Sequence, residues 1–226
     1  MAENSKSGRE KKITQVYLVD DHPVVRQGLA RLIDQEDDLA VCGESETGLE
    51  AYKQIPKIKP DIAVVDISLK DMNGIELIKD LKARMPDLPI LGLSMHDESV
   101  FAERVIRAGA MGYIMKEEAA TTVLQAIRRV VAGQIYLSSR ISSRLVSKFL
   151  TGPAEVQNPL ELLSDRELEV FQLIGQGFGT RQIAEKLHLS VKTIETYRAN
   201  IKEKLKLKNA TELLQHAIQW AQSSKL

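Results

Sequence analysis

Short apolar runs alternate with amphipathic stretches from Ile13 to about Ala132. ITQVYLV, LAVCGES, IAVVDIS, PILGLS and GYIMK have strand character, being brief, rich in Val and Ile, and bounded by polar, Gly or Pro positions. The segments between them carry apolar residues at helical spacing. Val25, Leu29, Leu32 and Ile33 form one stripe, Ile75, Ile78 and Leu81 a second, Phe101 and Val105 a third, and Val123, Ile127, Val130 and Val131 the last. Pro23 suits the first turn of the opening helix, where an N–H has no intrahelical partner anyway. Five strands and five helices in strict alternation predict a doubly wound α/β domain, (βα)5, with a parallel sheet covered on both faces.

The pattern changes after Ala132. GQIYLSSRISSRLVSKFLTGPAEVQNP holds one amphipathic helix, with Ile141, Leu145 and Phe149 at i, i+4 and i+8, before a Gly-Pro break. From Leu160 onward every segment is helical and short. Ser164 and Glu167 form a capping box, and Asn209 with Glu212 resembles one. The expected division is a first domain over 13–132, a partly helical linker over 133–159, and an all-α domain over 160–226.

Composition narrows the class. A chain of 226 residues suits one large or two ordinary domains. Lys+Arg and Asp+Glu both number 31, so whole-chain charge selects no partner. The single cysteine, Cys42, excludes an internal disulfide framework and is expected as a packed core thiol in a reducing, cytoplasmic setting. No apolar run approaches the ~20 residues that span a bilayer, so no membrane partner is expected. The opening MAENSKSGREKK lacks the apolar region of a secretory signal and reads as a short disordered tail.

Candidate chemistry lies at the strand ends. In open parallel sheets, ligands bind beyond the carboxyl ends of the strands where strand order reverses. Asp20 and Asp21 end the first strand and Asp66 the third. With the order 2-1-3-4-5 these strands are neighbours at the reversal, and three acids converge. A hard divalent cation such as Mg²⁺ would relieve their repulsion. Each acid taken singly could equally be a helix N-cap. The other strand ends shift the weight, because the fourth closes on Ser94 and the fifth on Lys116. Asp66, alone on its strand, is the candidate nucleophile toward phosphorus, with Asp20 and Asp21 as metal ligands. Mg²⁺, Lys116 and the Ser94 hydroxyl would meet the developing charge.

These residues resemble the receiver domain of two-component response regulators, over roughly residues 13–132. The resemblance implies phosphorylation of Asp66 by a sensor histidine kinase and the Ser68 backbone carbonyl as a further metal ligand. It also implies a Ser94 that moves toward the phosphoryl group and a Tyr113 that rotates inward behind it. Asn73-Gly74 fits the turn before the third helix. Two positions depart from the pattern. Lys70 stands where many members have proline, which predicts a less rigid loop after Asp66. Met95 stands where a small residue is common, and its bulk is expected to narrow access and slow phosphate hydrolysis.

The C-terminal helices carry a second signal. Two short helices joined around Leu189–Ser190 suggest a helix-turn-helix. In the second, Ile194, Tyr197, Ile201 and Leu205 form the buried stripe, leaving Lys192, Glu195, Thr196 and Ala199 on another face. Between Arg181 and Lys208 lie eight basic and three acidic residues, a local charge of +5 suited to phosphates. LSDRELEV, GFGTRQIAEKLHLSVKTIETY and IKEKLKLKNATEL resemble the four-helix DNA-binding domain of the LuxR/FixJ type, over about residues 160–224. The resemblance implies that the third helix, carrying Thr193 in its first turn, enters the major groove of double-stranded DNA. It implies that the last helix dimerises, for which Leu214, Ala217, Ile218 and Ala221 supply an apolar stripe.

The reading that combines both parts is a NarL/FixJ-type response regulator, a transcription factor switched by phosphorylation and not an enzyme. Its expected partners are a histidine kinase, DNA, a second copy when phosphorylated, and RNA polymerase. The receiver is expected to mask the recognition helix until Asp66 is modified. Two alternatives stay open. A regulator with a phosphorylation-independent receiver would keep full regulation in Asp66→Ala. A phosphohydrolase would want a second acid two residues after Asp66, where Ser68 stands.

Direct base readout is assigned to Lys192 and Thr196, with Glu195 able to accept from a cytosine amine, and phosphate contact to Arg181, Arg198 and Lys202. Lys202→Ala should weaken binding on all sequences and flatten the salt slope by about one unit, whereas Glu195 or Thr196 substitutions should alter sequence preference. Salt-dependent binding to an operator and a scrambled duplex distinguishes the two; uniform weakening by both would contradict the assignment.

Overall fold

The computed structural model describes residues 12–95, 98–151 and 158–223. The first part alternates β1 (Thr14–Val19), α1 (Pro23–Asp34), β2 (Leu39–Ser45), α2 (Gly48–Ile58), β3 (Ile62–Asp66), α3 (Gly74–Arg84), β4 (Ile90–Ser94), α4 (Glu98–Arg107), β5 (Gly112–Met115) and α5 (Ala119–Val131). All five strands are parallel, in the order β2-β1-β3-β4-β5. The connections after β1 and β3 therefore leave in opposite directions, which opens a crevice at the carboxyl edge between them.

The sheet separates two cores. Leu29 and Ile33 of α1 pack with Val123, Ile127 and Val130 of α5 on one face. Ala51 and Ile55 of α2, Ile75, Ile78 and Leu81 of α3, and Phe101 and Val105 of α4 cover the other. Strands β3 and β4 are buried along their whole length, as their unbroken apolar runs require. Strand β2 lies at the sheet edge and is half-buried over most of its length. Cys42 is therefore a half-buried edge thiol, not the core thiol expected, with Sγ 3.4 Å from the Val16 carbonyl.

Past α5 the chain does not leave the sheet at once. Tyr136 forms a single parallel bridge to Gly112, within the stretch expected to be linker. Helix α6 (Ser139–Thr151) follows and buries Ile141, with Leu145 partly covered; the Phe149 side chain lies outside the described residues.

The C-terminal part is a 3-10 turn (Pro159–Leu162) and four helices, α7 (Asp165–Gly175), α8 (Thr180–Lys186), α9 (Val191–Lys204) and α10 (Ala210–Ser223). Ser164 and Glu167 close the capping box on α7 from both sides. On α10 only half of that arrangement forms. Asn209 accepts from Glu212 N, but Glu212 reaches back to Lys208 N. His188, in the left-handed region at φ 53°, turns the chain between α8 and α9, and Ser190 caps α9 by accepting from Thr193 N. Leu168, Phe171, Ile183, Ile194, Ile201 and Leu213 form the core.

Gly175 closes α7 where α10 crosses it, and a Cβ there would fall 2.3 Å from the Ala217 carbonyl oxygen. Backbone, not a flexible side chain, would have to give way. Gly175→Ala should therefore cost about 1–3 kcal/mol of C-terminal stability, read as a lowered denaturation midpoint; an unchanged midpoint would contradict this packing.

Candidate functional site

Asp20 and Asp21 follow β1 directly and Asp66 is the last residue of β3, so strand register brings the three carboxyls to one rim. They are 1%, 5% and 0% exposed. Together with His22 they offer ligand atoms that all lie within 4.8 Å of one another. Lys116, just beyond β5, extends a buried side chain across the sheet. Its ammonium is 2.7 Å from Asp66 Oδ2, a hydrogen bond, and 2.8 Å from Asp20 Oδ2, a charge contact at an angle that makes none. Burial pushes the Asp66 carboxyl above the usual carboxylate range; Lys116 opposes this and the neighbouring Asp20 adds to it.

The local chain conformation fixes these groups. Asp66 Oδ1 accepts from Ser68 N at 3.0 Å, and Asp20 Oδ1 accepts from His22 N at 2.8 Å. Residue 22, not an aspartate, occupies the N-cap position of α1, so the N-cap alternative does not account for the acids. Asn73 caps α3 by accepting from Ile75 N, and Gly74 sits so close to β3 that a Cβ would fall 2.1 Å from the Asp66 carbonyl oxygen. Ser94 is fully buried at the end of β4, and Lys116 N donates to its carbonyl at 2.7 Å. Tyr113 is 3% exposed, packed into the core on the side of α3 and α4. Met95, 47% exposed, lines a cleft shared with Asp21, Ser68 and Lys70.

Two charged side chains join the pocket that sequence reasoning did not single out. Arg26 is 8% exposed and donates to the Asp20 carbonyl at 2.6 Å, to Glu44 Oε2 at 3.0 Å and to Glu46 Oε1 at 2.7 Å. It thereby clamps the turn that carries the acidic pair. A signal was present, since Arg26 occupies a core position of α1, in stripe with Leu29 and Ile33 at i, i+3 and i+7. His22 stands at the mouth, with Nδ1 2.7 Å from Asp21 Oδ1.

The donor set suits a hard cation. Asp20 Oδ2 and Asp21 Oδ1 are buried and accept no hydrogen bond, although buried carboxylate oxygens ordinarily do. Oxygen ligands converging in this way fit Mg²⁺ better than the thiolate- and imidazole-rich sets of softer metals.

The second group of candidates lies on α8 and α9; none of them lines the cleft beside Met95, although Lys186 at the end of α8 does. Arg181, Lys192, Glu195, Thr196 and Ala199 are exposed, and Arg198, Lys202 and Thr193 half-exposed. Burial holds the Arg198 guanidinium below its usual pKa. The Thr193 hydroxyl is 2.8 Å from Ser190 Oγ, within the cap of α9. Lys204 binds Glu167 of α7 at 2.6 Å and so serves the fold more directly than any ligand. On α10, Leu214 and Ile218 are 40% and 37% exposed, but Ala217 is fully buried and Ala221 packs beside Gly175. The proposed dimer stripe thus loses Ala217 to the domain's own core, and Ala221 is partly covered.

Among the described residues the polar contacts between the two parts run through α7 and the 3-10 turn before it, with the end of α8 lining the shared cleft. Asp165 pairs with Lys79 of α3 at 2.6 Å and Arg104 of α4 at 2.9 Å. Arg104 also donates to the carbonyls of Leu160 and Leu163, Arg166 pairs with Glu76, and Arg144 of α6 reaches Glu161. The expectation that the receiver-like part masks the recognition face is therefore corrected: Lys192, Glu195, Thr196 and Ala199 stay exposed while the first turn of α7 is held.

Comparison with known proteins agrees with both halves. Residues 16–128 match the response regulator receiver domain, and residues 161–217 match the bacterial regulatory proteins of the luxR family. The oxygen regulatory protein NreC of Staphylococcus carnosus is 34% identical over 209 residues, covering 90% of this chain and 96% of that protein. RcsB from Salmonella enterica serovar Typhimurium, solved bound to promoter P1flhDC in the presence of phosphomimetic BeF3⁻, superimposes with a TM-score of 0.68 at 29% identity, covering 91% and 98% of the two chains. A LuxR-family two-component response regulator from Aurantimonas sp. SI85-9A1 is 34% identical, with a TM-score of 0.57, over 62% of this chain and 99% of that one.

The α7 contact carries a pH dependence. Burial pushes the Asp165 carboxyl up, but hydrogen bonds and charge from Lys79 and Arg104 outweigh this and hold it below the usual carboxylate range. Its contribution is then complete above the ordinary Asp value of about 3.9 and is lost as pH falls through the lowered one. Asp165→Asn should reproduce that loss at neutral pH, read as a larger radius of gyration in solution scattering; an unchanged radius would show that Asp165 does not hold the parts together.

Proposed function

Because this chain belongs to the two-component response regulators, with a receiver domain and a luxR-type regulatory domain, we propose that it is a transcription regulator switched by phosphorylation of Asp66. The observation that carries this reading is the convergence of Asp20, Asp21, Asp66 and Lys116 on one rim. Asp20, Asp21 and Asp66, with the Ser68 carbonyl, would hold Mg²⁺. When bound, that ion supplies positive charge to the phosphoryl oxygens and lowers the repulsion between an anionic donor and the acids.

The chain's own residues do the rest. The phosphodonor is a phosphohistidine of a sensor histidine kinase. An Asp66 carboxylate oxygen bonds to phosphorus while the P–N bond breaks and its electron pair leaves with the imidazole. Lys116, already bonded to Asp66, neutralises the added charge. Ser94, buried at the end of β4, would donate to the phosphoryl group, and Tyr113, buried on β5, would rotate inward as Ser94 moves. Met95 sits at the cleft wall, where it restricts the approach of water. The switch reaches the DNA-binding half through α4, which begins shortly after Ser94 and carries Arg104, a ligand of Asp165. Arg181, Lys192, Thr193, Glu195, Thr196, Arg198, Ala199 and Lys202 meet double-stranded DNA, and a phosphorylated homodimer uses Leu214 and Ile218. RNA polymerase is the downstream partner, and the cytoplasm is the setting in which kinase and DNA are both accessible. No helix among the described residues is long and apolar enough to cross a membrane.

Acyl-phosphate labelling tests the reading. Wild type should incorporate phosphate only with Mg²⁺ and then bind operator DNA more tightly, and Asp66→Ala should do neither. Labelling of Asp66→Ala at the wild-type level would overturn it.

A further inference from the structure

The loop between β3 and α3 carries a cation that the resemblance does not supply. Lys70 Nζ lies 3.2 Å from the Asp21 carbonyl oxygen and 3.5 Å from Asp21 Oδ2. The loop beneath it is firmly held. Asp71, the next residue, accepts from Gly48 N and Leu49 N at 2.9 and 3.0 Å, and Gly74 N donates to the Ile67 carbonyl at 3.0 Å. The backbone at position 70 is thus pinned without proline, and the freedom belongs to the side chain.

Charge balance separates the two ammonium groups at the pocket. Counted over these five groups alone, three carboxylates and the Lys70 and Lys116 ammoniums leave one net negative charge. A divalent cation added beside both ammoniums would turn that into one net positive charge, whereas release of one ammonium leaves the cluster neutral. Lys116 is the group that stays, because its side chain is 2% exposed and contacts two acids below 3 Å. Lys70 is the group that goes, because its side chain is 70% exposed and makes one longer contact.

We propose that Lys70 is a tethered, exchangeable cation that competes with a divalent metal ion for Asp21 and so sets the cation affinity of the pocket. This rests on the reading of the pocket as a Mg²⁺ site. Lys70 is a positioning residue in this role: it acts through Asp21 and takes no part in the bond to phosphorus. Competition from an exposed ion pair is modest, so its removal should tighten binding by about two- to fivefold at low ionic strength.

The test is a Mg²⁺ titration of the full chain, followed by the amide resonances of Asp21 and Ser68. Lys70→Gln should bind about two- to fivefold more tightly than wild type, while Lys70→Arg should stay near it. Lys57→Gln is the control for the general field. Lys57 lies in the last turn of α2, at the opposite edge of the sheet, so this variant should titrate as wild type. Equal affinities for Lys70→Gln and wild type, or equal tightening by Lys57→Gln, would overturn the inference while leaving the Mg²⁺ site intact. A wild type without a saturable Mg²⁺ response, or an Asp21→Asn variant that responds like wild type, would instead remove the site itself, and the inference with it.

Discussion

Three carboxylates held within reach of one another at a buried sheet edge repel strongly, and the lysine at the end of β5 is the protein's permanent answer. Lys116 contacts Asp20 and Asp66 from a position almost closed to solvent. In such surroundings a charge pair is stable only with tight geometry and further hydrogen bonds. The Ser68 and His22 amides supply those bonds on Asp66 and Asp20, and Arg26 draws the Asp20 carbonyl into its own network with Glu44 and Glu46. The compensation is incomplete, because one oxygen each of Asp20 and Asp21 accepts no hydrogen bond. That residual deficit is what a cation would relieve, and it underlies the proposal that Asp66 is the group modified.

The same rim is joined to the rest of the chain by a short run of packed elements. Strand β4 ends at Ser94, and α4 carries Arg104 to Asp165 at the first turn of α7. Arg104 simultaneously holds two carbonyls around the 3-10 turn, so a small shift of α4 would strain several bonds at once. The candidate face of α9 stays exposed while this contact is made, so the contact fixes where the C-terminal half sits and does not cover that face. Control of that kind would act on the relative placement of two copies over adjacent half-sites.

Strand limits were legible where burial on both faces demands unbroken apolar runs, as in IAVVDIS and PILGLS, which contain β3 and β4 whole. The convergence of the acids was legible because strand order in an open parallel sheet decides which strand ends are neighbours. Three features were not. Cys42 was misread because the apolar run around it outweighed the edge place that the order 2-1-3-4-5 gives its strand. Ala217 looked like surface because a stripe at i, i+3, i+4 fits either a partner or a neighbouring helix; only the closeness allowed by Gly175 decides it. The α7 contact joins residues about 60 to 90 positions apart, such as Arg104 with Asp165 and Lys79 with Asp165, and no local pattern encodes pairing over that separation.

The most direct measurement is anomalous diffraction from crystals soaked in Mn²⁺, a detectable substitute for Mg²⁺. The account predicts one strong peak between the carboxylates of Asp20, Asp21 and Asp66, within coordination distance of the Ser68 carbonyl. No peak there, or a peak on a different surface, would contradict the claim that these acids are gathered to hold one cation.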